Sequence, residues 1–256
     1  MELVKYIKSK FSNQKKLKYR RKLEKIYASR HPHDLNKLAA IFRTDKFGNH
    51  SYTQHYQTHF SSFKDKKISL LEIGVGGYDN PIYGGHSLRM WKSYFKKGKI
   101  YSIDIFDKNK LQEPRIKIFQ GSQIDIDFLN KVLEEIGELS IIIDDGSHVN
   151  DHVIQSFDLL FPKLKTGGIY VIEDTQTSYW PNYGGTSTVL NSQKSIMGYF
   201  KSLLDGLNHA EFLIPNYKPT YYDLNIVSMH FYHNMIFIYK GENNEKSNFL
   251  INNQNP

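Results

Sequence analysis

The segment IIIDDGSHVNDH, residues 141–152, joins an apolar run to a cluster of polar and charged side chains. Its three isoleucines form a continuous β-branched stretch, which is typical of a strand covered on both faces of a sheet. Asp144 and Asp145 follow at once, then Gly146, and His148 comes three residues after Asp145. Burial of a charged carboxylate at the end of a strand is unfavourable unless a hydrogen bond or an opposite charge compensates for the lost solvent. The segment therefore predicts both a parallel sheet and a site at its edge.

The rest of the chain alternates between strand and helix patterns. Near-continuously apolar runs that end in turn residues are followed by amphipathic stretches, which indicates a parallel sheet with helices on both faces. The last pattern differs, because two β-rich runs flank His233-Asn234 and predict a hairpin. Together they predict an α/β fold with a Rossmann-like, mostly parallel seven-stranded sheet and an antiparallel last strand. The predicted strands are 68–74, 99–106, 115–121, 139–146 and 167–174 with the hairpin over 225–241, and the predicted helices are 87–95, 127–136 and 153–164.

Length and composition place the chain among folded, enzyme-sized domains. It has 256 residues, of which 39% are hydrophobic, enough for one sizeable core. It contains no cysteine, which excludes disulfides and thiolate chemistry and fits a reducing cytoplasm. No apolar run approaches the roughly 20 residues of a membrane span, and the lysine-rich start does not fit a secretory leader. We therefore expect a cytoplasmic protein.

The positive charge of the chain lies near its start. Residues 1–30 carry 11 lysines and arginines against two glutamates, so they hold +9 and the remaining residues −1 of the net +8. Such an arm fits an anionic membrane surface, an anionic polymer or nucleic acid. A solvated helix that packs through Leu3, Ile7 and Phe11 fits at least as well. We expect a basic helical arm over 1–40, the main domain over 41–245 and a polar tail over 246–256.

A glycine-rich loop follows the first predicted strand. In LLEIGVGGYDNPIYGG, glycines at positions 74, 76 and 77 let backbone amides approach a ligand closely at the start of a helix. Asp79 stands where the dinucleotide pattern has its third glycine, which disfavours NAD. Asp104 ends the second strand, where it would accept hydrogen bonds from a ribose, and QGSQ at 120–123 ends the third, beside an adenine edge. Together these strand ends predict a nucleoside ligand without phosphates, namely S-adenosylmethionine (SAM).

Carboxylates end the fourth and fifth predicted strands. Glu173 and Asp174 lie at the end of the fifth strand as Asp144 and Asp145 lie at the end of the fourth, and neighbouring strands lie roughly 5 Å apart. These groups would repel one another unless a cation lay between them. Oxygen ligands without cysteine favour Mg²⁺, with Mn²⁺ or Ca²⁺ as alternatives, over zinc. Because side chains alternate along a strand, we expect only one of the two aspartates after the fourth strand to bind the metal. Each carboxylate alone would also fit a helix cap or a turn.

Three segments, 141–181, 70–78 and 44–56, resemble the metal-dependent class I methyltransferases of macrolide sugars. Rhamnosyl O-methyltransferases and cephalosporin hydroxylase-like proteins are relatives of that family. The resemblance covers about residues 40–240, and its DDGSH and YVIEDTQTSYWP motifs are more specific than the glycine loop. It implies the class I methyltransferase fold, a SAM-dependent O-methyltransferase activity and a sugar-containing acceptor.

The resemblance also implies roles for individual residues. Asp145, Glu173 and Asp174 would bind Mg²⁺, and His148 would act as the general base beside Asp145. The methyl donor would be surrounded by Thr44, Glu72, Gly74, Val75, Gly76, Gly77, Tyr78, Ser87, Asp104, Gly121, Ser122, Gln123 and Asp145.

The acceptor is the least constrained part of the prediction. We expect a sugar hydroxyl of a surface glycan or of its nucleotide-linked precursor, since the arm suits an inner membrane face and does not resemble the N-terminal domain of macrolide enzymes. The alternatives are a macrolide-type natural-product sugar, a metal-dependent hydroxylase and an RNA-binding methyltransferase. The hydroxylase would need a second histidine at a strand end, and His152 is the nearest to His148. No nucleic-acid partner is expected, and a homo-oligomer stays open.

Overall fold

The computed structural model describes residues 13–254, in which seven strands form one mixed sheet. The strands are β1 (Ser69–Ile73), β2 (Lys99–Asp104), β3 (Ile116–Gln120), β4 (Leu139–Asp144), β5 (Leu164–Glu173), β6 (Ile226–Tyr232) and β7 (Met235–Lys240). They lie in the order β3-β2-β1-β4-β5-β7-β6. The first five are parallel, and β7 runs antiparallel between β5 and β6. The predicted α/β fold with a reversed last strand is confirmed.

The carboxyl ends of β1, β4 and β5 coincide. Ile73 pairs with Asp144, and Asp144 pairs with Ile172. Every residue of β4 is buried, as expected for a strand in the middle of a doubly covered sheet. Because the three ends are level, Asp145 and Asp174 leave the sheet at the same edge.

Two units make up the described chain: residues 13–67 with 85–98, and residues 68–84 with 99–254. The first unit contains the helices α1 (Asn13–Ser29), α2 (Leu35–Phe42), α3 (Thr53–Phe60) and α4 (His86–Tyr94). The second unit contains the sheet with α5 (Ile126–Ile136), α6 (Asn150–Leu160), α7 (Ile196–Ser202) and α8 (Tyr221–Asn225), joined in part by short 3-10 turns.

The core of the second unit lies between the sheet and its helices. Asp125 caps the start of α5: its side chain accepts a hydrogen bond from the Phe128 N–H and so satisfies an amide of the first turn. The helix buries Leu129, Val132 and Ile136, which are spaced to share one face. Each such side chain contributes roughly 1.5–3 kcal/mol when it is fully buried. The same core takes in α6 and thereby fixes the helix that follows the DDGSH segment.

The first unit has an aromatic core of its own. Tyr56 on α3 packs edge-on against Trp91 on α4 with ring centroids 4.8 Å apart, and Phe60 lies 5.7 Å from the same indole. Such pairs add about 0.5–1.5 kcal/mol beyond the area that they bury.

The predicted arm is helical over its described residues 13–29 and 35–40. Residues 1–12, with the three apolar positions expected to pack, lie outside the described residues. The predicted boundaries after residues 40 and 245 stay predictions. Within residues 13–254, no helix has both the length and the apolarity needed to cross a membrane.

Candidate active site

Asp144, the last residue of β4, and Asp145, which follows it, have different surroundings. The side chain of Asp144 is buried and accepts weak hydrogen bonds from the Gln123 amide at 3.4 Å and from the Gly146 N–H at 3.3 Å. Burial raises the pKa of Asp144 to about 7, although the hydrogen bond from Gly146 opposes this, and the charge of Asp145 adds to it. Asp145 is partly exposed, and its carboxylate lies near those of Glu173 and Asp174. The expectation that only one of the two aspartates binds the metal stays a prediction, with Asp145 as the residue whose carboxylate lies in the acidic group.

An acidic cluster forms at the edge of the sheet, and we define it as Glu72, Asp145, His148, Glu173 and Asp174. Ligand atoms of Asp145, His148 and Asp174 all lie within 4.8 Å of one another, and so do those of Glu72, Asp145 and Glu173. Nε2 of His148 is 3.6 Å from Asp174 Oδ2 and 3.9 Å from Asp145 Oδ1. Glu72 and Glu173 are buried, so their ionised forms need a compensating charge. Carboxylate oxygens with one imidazole fit a divalent cation that prefers oxygen ligands.

His148 and Asp174 share a strained backbone conformation. Each has φ 55, in the left-handed region that residues other than glycine seldom adopt. Such a residue costs of order 1–3 kcal/mol, and it persists only when its surroundings hold it there. Nδ1 of His148 is buried and makes no hydrogen bond to another described residue. The strain therefore coincides with the predicted base and with one predicted metal ligand.

The side chain of Gln123 stabilises the turn before His148 through hydrogen bonds. The side-chain oxygen Oε1 of Gln123 accepts a hydrogen bond from the Ser147 N–H at 2.9 Å, and its Nε2 donates to Ser156 Oγ at 2.8 Å. Ser147 Oγ in turn lies 3.0 Å from Nδ1 of His152. Gln123 was expected to contact the methyl donor, and its side chain instead supports the DDGSH turn in this structure. Its assignment to the donor stays a prediction.

Asn150 ties the start of α6 to the segment after Asp174. Its buried amide donates to the carbonyl oxygens of Thr177 at 2.9 Å and Tyr183 at 2.8 Å, and its oxygen accepts from the Ile196 N–H at 2.7 Å. The N–H of Thr177 donates to the backbone carbonyl oxygen of Asp174 at 3.3 Å. Asn150 therefore links the His148 turn to the Asp174 turn, and no local sequence pattern pointed to it.

The glycine loop, defined as residues 74–84, leaves β1 beside the acidic cluster. Gly74 has φ 94, and a Cβ at this position would lie 2.2 Å from the carbonyl oxygen of Asp145. Only glycine allows the two chains to pass this closely. Asp104 fixes the next residue, since its carboxylate accepts the Val75 N–H at 2.9 Å and the Phe106 N–H at 2.9 Å. The predicted donor end and the predicted metal end of the sheet thus meet at Gly74.

Most of the predicted donor contacts belong to the second unit. Gly121, just after β3, donates its N–H to the carbonyl oxygen of Asp104 at 2.9 Å, so the ends of β2 and β3 adjoin. Thr44 and Ser87 lie in the first unit, and their assignment stays a prediction. The predicted contacts that belong to the second unit are Glu72, Gly74, Val75, Gly76, Gly77, Tyr78, Asp104, Gly121, Ser122, Gln123 and Asp145.

A parallel sheet with a reversed last strand, a glycine loop after β1 and carboxylates after β4 and β5 define a class I methyltransferase fold. The chain is 48% identical over 219 residues to the mycinamicin VI 2''-O-methyltransferase of Micromonospora griseorubida, which is 85% of this chain and 55% of that protein. It is 42% identical over 225 residues to the 8-demethyl-8-alpha-L-rhamnosyl tetracenomycin-C 2'-O-methyltransferase of Streptomyces olivaceus, covering 86% of this chain and 59% of that protein.

Solved structures agree with these relatives. MycE methyltransferase from the mycinamycin biosynthetic pathway, in complex with Mg, SAH and mycinamycin VI, superposes with a TM-score of 0.80 at 47% identity. The match covers 83% of this chain and 55% of that one. No protein-family model matches the chain. Over the matched residues the predicted resemblance to sugar O-methyltransferases is confirmed, and the chain spans little more than half the length of these relatives.

Proposed function

We propose that this chain is a metal-dependent O-methyltransferase that moves the methyl group of SAM to a sugar hydroxyl. The observation that carries the proposal is the contact between the glycine loop and the acidic cluster, where Gly74 passes the carbonyl oxygen of Asp145. A donor held by the loop and a hydroxyl held at the cluster would then be neighbours. The relatives at 48% and 42% identity are sugar O-methyltransferases by name, which supports the same activity.

The residues present fit Mg²⁺, which the solved relative contains. Asp145, Glu173 and Asp174 would hold the ion, and Glu72 lies close enough to Asp145 and Glu173 to belong to the same set. When bound, the ion supplies positive charge that favours loss of a proton from an adjacent hydroxyl. The ion would place positive charge beside the buried carboxylates of Glu72 and Glu173.

His148 supplies the base. Its Nε2 takes the proton of the sugar hydroxyl while the hydroxyl oxygen attacks the methyl carbon, and the carbon–sulfur bond of SAM breaks to leave SAH. The imidazolium that forms lies beside Asp145 and Asp174, whose carboxylates stabilise its charge. The left-handed backbone at His148 keeps the ring turned toward these two carboxylates.

A natural-product sugar is the preferred acceptor. The relatives named above act on macrolide and tetracenomycin sugars, and none of those names points to a surface glycan. The first expectation, a surface glycan or its nucleotide-linked precursor, therefore gives way to its alternative. Contact of the arm with a membrane, a cytoplasmic location and a homo-oligomer stay predictions.

Incubation of the purified chain with SAM, Mg²⁺ and a panel of acceptors tests the proposal. The panel contains macrolide glycosides, rhamnosyl polyketides, nucleotide sugars and glycan precursors, and mass spectrometry detects the gain of one methyl group. We expect methylation of at least one natural-product glycoside, and its loss in EDTA. Transfer to nucleotide sugars alone would return the acceptor to the first expectation, and full transfer in EDTA would refute the metal dependence.

A further inference from the structure

Lys108 is a buried lysine that has no carboxylate partner. It follows β2 and its side chain is 1% exposed. Nζ donates to the carbonyl oxygens of Asn80 at 2.9 Å and Tyr83 at 3.2 Å. Among residues 13–254, no carboxylate oxygen lies within ion-pair distance of this ammonium. A buried ammonium is unfavourable unless its hydrogen bonds compensate for lost solvent, so these two carbonyl contacts are what make its burial tolerable.

Both acceptors of Lys108 belong to the glycine loop. The loop turns back on itself, since the Asn80 N–H donates to the Gly77 carbonyl at 3.2 Å and the Tyr83 N–H donates to the Asn80 carbonyl at 3.3 Å. A Cβ at Gly77 would lie 2.3 Å from the Tyr83 carbonyl oxygen, which is the atom that also accepts from Lys108. Lys108 therefore holds the outer half of the loop against its glycines.

Apolar burial does not hold this turn in place. Tyr78 is 85% exposed, Ile82 59% and Tyr83 60%, so the large side chains of the turn add little to its stability. The inner half of the loop is fixed by Asp104 at the Val75 N–H. Asp104 at the end of β2 and Lys108 just after it thus hold the two halves of the loop, Asp104 by accepting and Lys108 by donating hydrogen bonds.

We propose that Lys108 is a positioning residue for the methyl donor: it holds the glycine loop in the shape that binds SAM and so sets donor affinity. This inference rests on the proposed function. A lysine that only stabilises the fold would affect unfolding but not donor affinity. Lys240 offers that comparison, because it is 7% exposed and donates to the carbonyl oxygens of Phe161 at 3.2 Å and Pro162 at 2.9 Å. These carbonyls precede β5, at the edge of the sheet opposite the loop.

The test compares Lys108→Met with Lys240→Met in the full chain. Isothermal calorimetry measures the Kd for SAH, steady-state kinetics gives KM for SAM and kcat, and thermal melting reports stability. We expect Lys108→Met to raise both the Kd for SAH and the KM for SAM by about tenfold, with kcat at saturating SAM nearly unchanged. Lys240→Met should lower the melting temperature and leave the Kd for SAH at its wild-type value.

The outcomes separate this inference from the proposed function. If the wild-type chain binds no SAH, the proposed function fails and the inference fails with it. If the wild type binds SAH and a folded Lys108→Met variant binds it equally well, only the inference is overturned. Should Lys108→Met not fold, Lys108→Gln, which keeps one donor, takes its place. If neither variant folds, hydrogen exchange of residues 78–84 in the wild type decides, and protection that SAH does not change would overturn the inference.

Discussion

The acidic cluster and the glycine loop lie at the same edge of the sheet but are built differently. In the acidic cluster, side chains converge, and two of their residues, His148 and Asp174, keep a left-handed backbone. In the glycine loop, backbone groups form the surface, and the side chains of Asp104 and Lys108 serve to hold that backbone. The difference teaches that a substitution of His148 or Asp174 should lower turnover and leave donor affinity unchanged, whereas a substitution of Lys108 should weaken donor binding and leave kcat nearly unchanged.

The largest effect is expected for His148→Ala. Loss of a general base lowers kcat by about 10²–10⁴-fold. The Kd for SAH should stay at its wild-type value, because the glycine loop does not depend on this side chain. Turnover assays and calorimetry on the same preparation measure both quantities. His152→Ala is the control, since His152 contacts Ser147 and not the acidic cluster, and its kcat should fall far less. Equal activity of wild type and His148→Ala would remove His148 from the mechanism.

Asp174→Asn should come next in size. Asparagine adopts the left-handed region readily, so this variant keeps the backbone at φ 55 and removes only the charge. We expect the affinity for Mg²⁺ to fall by at least about tenfold, and activity at low Mg²⁺ to fall with it. Titration calorimetry with Mg²⁺ alone measures the affinity without relying on turnover. An unchanged Mg²⁺ affinity would exclude Asp174 as a ligand.

Gly74→Ala tests the point where the two regions touch. The new Cβ would lie 2.2 Å from the Asp145 carbonyl oxygen, so both the loop and Asp145 must move. We expect weaker SAH binding and lower kcat together, with the free energy of unfolding reduced by about 1–3 kcal/mol. Gly167→Ala is the matched control, because Gly167 has φ 78 and nothing lies within 4 Å of its Cβ position. If both variants lower the free energy of unfolding but leave the Kd for SAH and kcat unchanged, the close approach at Gly74 does not couple the glycine loop to the acidic cluster.

Much of the sheet could be predicted because each strand is a nearly unbroken apolar run with a turn residue at its end. The run at 139–146 became β4 over Leu139–Asp144, and the hairpin turn falls at Asn234, which adopts φ 61. The helix predicted over 153–164 instead spans Asn150–Leu160. The sequence does not mark its start, because the side chain of Val149 cannot cap the first turn. The helix ends before Pro162, whose ring does not fit a helix interior.

The site was predicted where side chains follow strand ends and missed where contacts depend on distant segments. Glu173 ends β5, and Asp145 and Asp174 directly follow β4 and β5, so level strand ends bring them together. Glu72 lies within the apolar run of β1, and only the register of β1 against β4 shows that it joins the acidic cluster. Asn150 donates to the carbonyl oxygen of Tyr183, and Lys108 donates to that of Asn80. These partners are far apart in the sequence, so no local spacing predicts the contacts.

The smallest expected effect concerns His86, the first residue of α4, which is the first helix after β1. Its Nδ1–H donates to the Phe42 carbonyl at 2.7 Å. Burial lowers the pKa of His86 below its ordinary value of 6.5, the hydrogen bond to Phe42 opposes this, and the nearby Arg89 charge adds to it. The unfolded chain therefore binds the proton more readily, so stability is present above about pH 6.5 and falls as the pH drops below it.

His86→Gln should consequently lose less stability than the wild type when the pH is lowered from about 7.5 to about 5.5. Thermal melting at both pH values measures the difference for each protein. The pH dependence of kcat should not change, because His86 hydrogen-bonds to a backbone carbonyl whereas His148 presents Nε2 to two carboxylates. A shift in the pH–rate profile of His86→Gln would contradict this expectation. It would show that His86, which lies just after the glycine loop, takes part in the reaction and does not only support the fold.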